Sequence, residues 1–219
     1  MKIVMALSGA LFVLYVVLHM YGNLKVFGGQ EAFDSYAHHL RTLGEPMLPY
    51  SGFLWVFRLL LIVSLIAHAY SAFYLWRKAN EARTTRYAVR LAGGQALRSK
   101  MMRWGGVTLL VFVVFHLVQF TVPKVNFNSS VPDSQIAGSP YALVVAAFQL
   151  WWVVLIYLVA LAALGMHLHH GVWSAAQTMG LTNTPKARAN AKALGTFVAA
   201  FVVVGFALPP LAILFGFVD

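Results

Sequence analysis

Four histidines stand out because each lies inside its own long apolar segment: His19, His68, His116 and His167. An ionisable group is costly in hydrocarbon, so an imidazole inside an apolar helix is by default a functional candidate. Neutral imidazole is also a ligand for transition metals and for haem iron. Four such residues, one per segment, suggest bis-histidine ligation of two haems. With both axial positions filled, such centres suit electron transfer rather than oxygen chemistry. The plainer alternative is polar residues bonding across helix contacts. A metal other than haem iron is weakened by the lack of any carboxylate at matching depth in the helices.

The densest stretch is His167-Leu168-His169-His170-Gly171-Val172-Trp173-Ser174, preceded by Leu161, Ala162, Ala163, Leu164 and Gly165. A helix advances about 100° per residue, so His170 faces about 60° from His167 and His169 about 160°. All three cannot ligate one iron. His170 is either the ligand in place of His167 or a partner for a propionate or quinone, and His169 reads as a helix-contact or interfacial residue. His38 and His39 lie outside the apolar segments and read as solvated.

The elements that must position these residues are membrane helices. The 219 residues are 60% hydrophobic and 10% charged, too apolar for a soluble domain. Without cysteine there is no disulfide, thiolate iron–sulfur site or cysteine-ligated zinc in this chain. About 20 apolar residues span a bilayer. The expectation is an all-α integral membrane bundle of five transmembrane helices forming one domain over residues 1–219. Helix I runs from about Ile3 to Tyr21; with His19 inside it and no small-x-small site after it, it is not a signal peptide. Helix II runs from about Ser51 to Trp76, and helix III from Trp104 to Val122, stopping at Pro123. Helix IV runs from about Tyr141 to Met179, long enough that it must tilt or project, with Gly180 as a C-cap. Helix V runs from about Gly195 to Phe217, with Pro209-Pro210 expected to kink or break it. Gln30 to Leu43 reads as a short surface helix after a turn at Gly28-Gly29.

The charges fix an expected orientation. The helix II–III connector carries Arg77, Lys78, Arg83, Arg86, Arg90, Arg98, Lys100 and Arg103, and the IV–V connector Lys186, Arg188 and Lys192. Lys2 lies on the same side. The other side has Lys25, Arg41 and Lys124, with five acids: Glu31, Asp34, Glu45, Asp133 and Asp219. The N-terminus is then inside (cytoplasmic) and the C-terminus outside. The net charge of +10 therefore reflects topology and not nucleic-acid binding. At 1.5 Å per residue, His19 lies roughly 24 Å from the inner end of its helix and His116 roughly 20 Å from Arg103. His68 lies about 14 Å from Arg77 and His167 roughly 15 Å from Gln177. The four sort into an outer pair, His19 with His116, and an inner pair, His68 with His167.

Nearly the whole chain resembles a known family, on four motifs taken in order: His19-Met20-Tyr21-Gly22-Asn23-Leu24, Leu65-Ile66-Ala67-His68-Ala69-Tyr70, Val113-Val114-Phe115-His116-Leu117, and His167 through Gln177. The resemblance is to the dihaem cytochrome b membrane anchor of succinate:menaquinone oxidoreductase and fumarate reductase (respiratory complex II), in its single-subunit, five-helix form. It implies haem b ligands at His19, His68, His116 and His167, with helices II and IV holding the proximal haem and I and III the distal one. The family's fourth-helix ligand stands four residues before the glycine, which favours His167 over His170.

The resemblance further implies flavoprotein and iron–sulfur subunits of succinate dehydrogenase on the basic inner face, a quinone (menaquinone), surrounding lipid, and a multi-pass place in the cell's inner (plasma) membrane. The succinate chemistry would lie outside this chain, and no catalytic residue is assigned in it. Haem propionates need cations in hydrocarbon. Arg58 is the candidate at the outer haem, and Arg103 with Lys100 at the inner one. Glu31, Asp34 and Glu45 are candidates for quinone-coupled proton transfer. Trp104, Trp151 and Trp152 read as interface-belt or packing residues. The rival readings are another dihaem membrane reductase that needs no soluble partners, and a haem-free anchor or transporter whose histidines relay protons.

Overall fold

The computed structural model describes residues 1–82, 93–122 and 124–219, with backbone alone for residues 93–101. Arg83, Arg86, Arg90 and Pro123, and the side chains of Arg98 and Lys100, lie outside this description. The described residues form helices and connecting turns, with five helices long and apolar enough to cross a membrane.

Helix α1 (Lys2–Leu24) passes through a 3-10 turn (Lys25–Gly28) into α2 (Gly29–Thr42). Gly29 permits the junction, because its φ of 79° lies where a side chain would be strained. Helix α3 is Gly52–Glu81 and α4 is Gly93–Phe120. A four-residue turn, α5 (Asp133–Ile136), precedes α6 (Pro140–Phe148), α7 (Trp151–Thr178) and α8 (Pro185–Leu214). The long helices are apolar almost all round. On α3, Leu59, Ile62, Val63, Ile66 and Tyr70 are all exposed, at the i, i+3, i+4, i+7 spacing of one stripe. Such a stripe on a chain with few charges suits a surface that meets lipid.

Two expectations change. The single helix over Tyr141–Met179 is two helices, broken at Gln149-Leu150. The Asn128 side chain donates to the Ala146 carbonyl at 2.9 Å and to Gln149 Oε1 at 3.3 Å. The Ala146 oxygen is the acceptor that Leu150 N–H would use in a continuous helix. Leu150 N–H turns to Ala147 instead, at 3.3 Å, and its extended ψ of 111° starts a new helix. The excess length shrinks but remains: α7 alone, 28 residues, is about 42 Å long against a hydrocarbon core of about 30 Å, and α6 is a separate buried helix before it. In the second change, the basic segment Pro185–Lys192 is the first two turns of α8, with Pro185 at its start and the Thr184 hydroxyl accepting from Ala187 N–H. Helix α8 then continues through Pro209 and Pro210 to Leu214 without breaking. Gly180, at φ 76°, follows α7 as its C′ residue, where Leu181 N–H bonds back to Ala176.

Helices α1 and α7 are central. Helix α7 packs against α8, α4 and α1, and α1 packs against α3, α7 and α8. Helix α8 crosses α7 very closely: a Cβ on Gly195 would stand 2.7 Å from the His169 carbonyl oxygen. At one end, Asp34 of α2 accepts from Ser139 Oγ at 2.6 Å and from Tyr141 N–H at 2.9 Å, tying α2 to the start of α6. Tyr141 Oη donates to the Asp219 carbonyl at 2.8 Å, so the C-terminus joins the same knot.

Candidate functional site: two imidazole pairs between helices

The four intramembrane histidines meet in two pairs. The rings of His19 on α1 and His116 on α4 are 5.7 Å apart, centroid to centroid, at 81°. Those of His68 on α3 and His167 on α7 are 6.2 Å apart at 57°. Neither α1 with α4 nor α3 with α7 is among the closely packed helix pairs of the described residues. Each imidazole pair therefore bridges two helices that stand apart.

The surroundings orient the rings. At His68, α1 supplies two consecutive residues. Ser8 Oγ lies 3.1 Å from Nδ1 and gives its own hydrogen to the Val4 carbonyl at 2.7 Å, so Nδ1–H donates to the serine and Nε2 keeps its lone pair. Gly9 follows, and a Cβ there would stand 3.3 Å from the His68 ring. Gly106 of α4 does the same for His167, at 3.6 Å. At the other pair, Tyr157 Oη lies 3.0 Å from His116 Nδ1 and donates to Gln119 Oε1 at 2.9 Å. The same logic leaves the His116 Nε2 lone pair free. His19 stacks on Tyr15 at 5.4 Å and 11°, with Phe206 of α8 at 5.7 Å. Phe12 meets His68 edge-on at 6.0 Å.

The donor set fits haem b. Imidazole nitrogen binds metal at about 2 Å with the ring centroid about 1 Å behind, so one shared ion holds two centroids about 6 Å apart. Both pairs have that separation. Among the described residues no three or more His, Asp or Glu side chains gather as a metal-binding group. Two imidazoles are half a ligand set for tetrahedral zinc but a full axial set for haem iron. His167 Nδ1 is also buried without a partner, an unspent donor or acceptor beside this site.

The other sequence candidates take varied places. His170 lies beside Trp173, ring to ring at 5.8 Å, while His167 is the residue that meets His68. His169 Nδ1 contacts Thr196 Oγ1 of α8 at 3.2 Å, a helix-contact position. Arg58 lies 5.0 Å over the Trp55 ring, one residue beyond Phe57, which packs on Tyr15 and so borders His19. Arg103 lies 5.3 Å over Trp76, joining the ends of α4 and α3 beyond His68. Asp34 is engaged in the α2–α6 knot, while Glu31 and Glu45 are exposed. Lys100 lies outside the described side chains. Sequence reading missed Ser8, Gly9, Gly106, Tyr157 and Gln119. Only Gln119, one polar residue a single turn after His116, carried a signal.

The chain is similar to the succinate dehydrogenase cytochrome b558 subunit of Bacillus subtilis (strain 168), 26% identical over 211 residues, which are 94% of this chain and 89% of the relative. This similarity supports the cytochrome b anchor-subunit family. No protein-family model matches the chain, and no solved structure matches it significantly. Near full-length coverage carries the similarity across all five candidate spans. That relative is, by its name, a cytochrome b subunit of succinate dehydrogenase.

Proposed function

We propose that this chain is the membrane-anchor cytochrome b subunit of a succinate:quinone oxidoreductase, carrying electrons from an iron–sulfur partner to a membrane quinone, menaquinone, with two b haems. The observation that carries the proposal is the pair of imidazole pairs, each bridging helices that stand apart. His68 and His167 would hold the inner haem, and His19 and His116 the outer one. Haem b bound there would supply one-electron transfer.

The chain's own work is to hold and to insulate. Ser8 and Tyr157 fix the tautomers of His68 and His116, holding the proton on Nδ1 and leaving the Nε2 lone pair free. Gly9 and Gly106 leave room beside the inner rings. Arg58 serves an anionic group near His19, and Arg103, with Lys100, one near the inner pair. His170 serves as a polar neighbour of the inner site. The residues form one domain over 1–219 in the plasma membrane, with the N-terminus inside, and the basic inner face receives the flavoprotein and iron–sulfur subunits. Succinate chemistry belongs to those partners.

The test is a dithionite-reduced minus oxidised spectrum of the purified protein with haem b counted per chain. Two haems are expected. His68→Ala or His167→Ala loses one, and His19→Ala or His116→Ala loses the other. A colourless protein would sink the proposal and leave an anchor or transporter with relay histidines. Two haems in a chain that purifies without flavin or iron–sulfur subunits would favour another dihaem reductase.

A further inference from the structure

We infer that Tyr157 and Gln119 are positioning residues that fix the proton of His116 and thereby set the redox potential of the His19/His116 centre separately from the His68/His167 centre. The inference rests on the proposed haem ligation. Gln119 is 0% exposed, and Tyr157 Oη donates its one hydrogen to Gln119 Oε1 at 2.9 Å. Its oxygen can then only accept, so the 3.0 Å contact is His116 Nδ1–H donating to the phenol. The opposite amide orientation would hand the phenol proton to Nδ1 and put a hydrogen on Nε2, where a metal-bound ring carries none.

Water cannot compete for this chain of bonds. Phe112 and Phe148 stand edge-on to the Tyr157 ring at 4.9 Å each, with Phe115 and Phe120 at 6.3 Å. In such a site a hydrogen bond is stronger than in water. The inner pair is held differently. Ser8, a small aliphatic hydroxyl, passes its proton to a carbonyl of its own helix, and the Nδ1 of His167 has no partner. A hydrogen bond accepted from the distal ring N–H raises the ligand's basicity. A more basic ligand favours ferric over ferrous iron, so the phenol lowers the potential of its own centre only.

Potentiometric titration of the haem spectra in the purified complex tests this, with His19→Ala and His68→Ala assigning the two signals. Tyr157→Phe keeps the ring and removes the acceptor. It is expected to retain two haems per chain and to raise the midpoint of the His19/His116 centre by about a tenfold change in the ferric-to-ferrous balance, which is 59 mV for one electron. The other centre stays put. Gln119→Leu, which leaves the His116–Tyr157 bond and removes what orients it, moves the same midpoint upward by less. Unmoved midpoints in Tyr157→Phe overturn the inference while the haem proposal stands. So does an unmoved midpoint in Gln119→Leu if Tyr157→Phe loses its haem. A wild-type protein without haem sinks both readings.

Discussion

Gly9→Val should empty the inner centre and spare the outer one. The Cβ that any side chain adds at Gly9 stands 3.3 Å from His68 Cε1 and 3.7 Å from Nδ1. Alanine needs only a few tenths of an ångström of give, so Gly9→Ala should cost under about 1 kcal/mol. Valine adds two methyl groups about 1.5 Å further out, inside the volume of the imidazole ring. His68 must then turn away, which breaks its 3.1 Å bond to Ser8. The lost bond costs about 0.5–1.5 kcal/mol, and crowding a packed site costs about 1–3 kcal/mol. Together these come to about 1.5–4.5 kcal/mol, or about 12- to 1,600-fold weaker retention of the inner group at about 1.4 kcal/mol per tenfold. The assay is haem b per chain, with the difference spectrum showing which centre is lost. Gly9→Val with two haems and unchanged spectra would refute the reasoning, because the ring would have tolerated the overlap. Loss of both haems would refute it too, since the His19/His116 pair lies a further two to three turns along α1.

Two other substitutions test the frame that holds the pairs. Asp34→Ala removes the acceptor for Ser139 Oγ and Tyr141 N–H and should destabilise the protein by about 1.5–2 kcal/mol, the lower part of the range for bonds to a charged group because Asp34 is only half-buried. Thermal denaturation in detergent would read it, and quinone reduction by the intact complex should survive if Asp34 is structural. Gly195→Ala drives a Cβ to 2.7 Å from the His169 carbonyl, where backbone cannot yield, and should cost about 1–3 kcal/mol by forcing α8 off α7. An unchanged melting temperature would mean that the two helices do not cross as closely as described.

Much of the fold was legible in the sequence because a bilayer imposes a simple rule. Each span must be about 20 apolar residues with its backbone bonds satisfied inside the helix. Composition alone therefore marked five spans, and the four apolar segments with one imidazole each marked the candidate ligands. Helical rise was enough to sort those histidines by depth, since both distances are measured along single helices. The choice between His167 and His170 needed more, because the two face within about 60° of one another on the same turn. Only packing puts the His167 ring against His68.

What the tertiary structure decided are contacts between segments far apart in sequence. Asn128 reaches the Ala146 carbonyl and divides the expected fourth helix, an event invisible in an unbroken apolar run. Ser8 and Gly9 lie sixty residues before the ring they orient, and Tyr157 meets His116 from another helix. Hydropathy treats a serine, a glycine and a tyrosine in an apolar helix as small variations of one theme. Their meaning depends on which face turns inward and what it meets, and that is set by how α1, α4 and α7 pack. The sequence by itself determined how many helices are long and apolar enough to cross and which imidazoles they carry. The packing alone decided which nitrogen His68 and His116 present, because a hydrogen bond is made only where two helices bring donor and acceptor within reach.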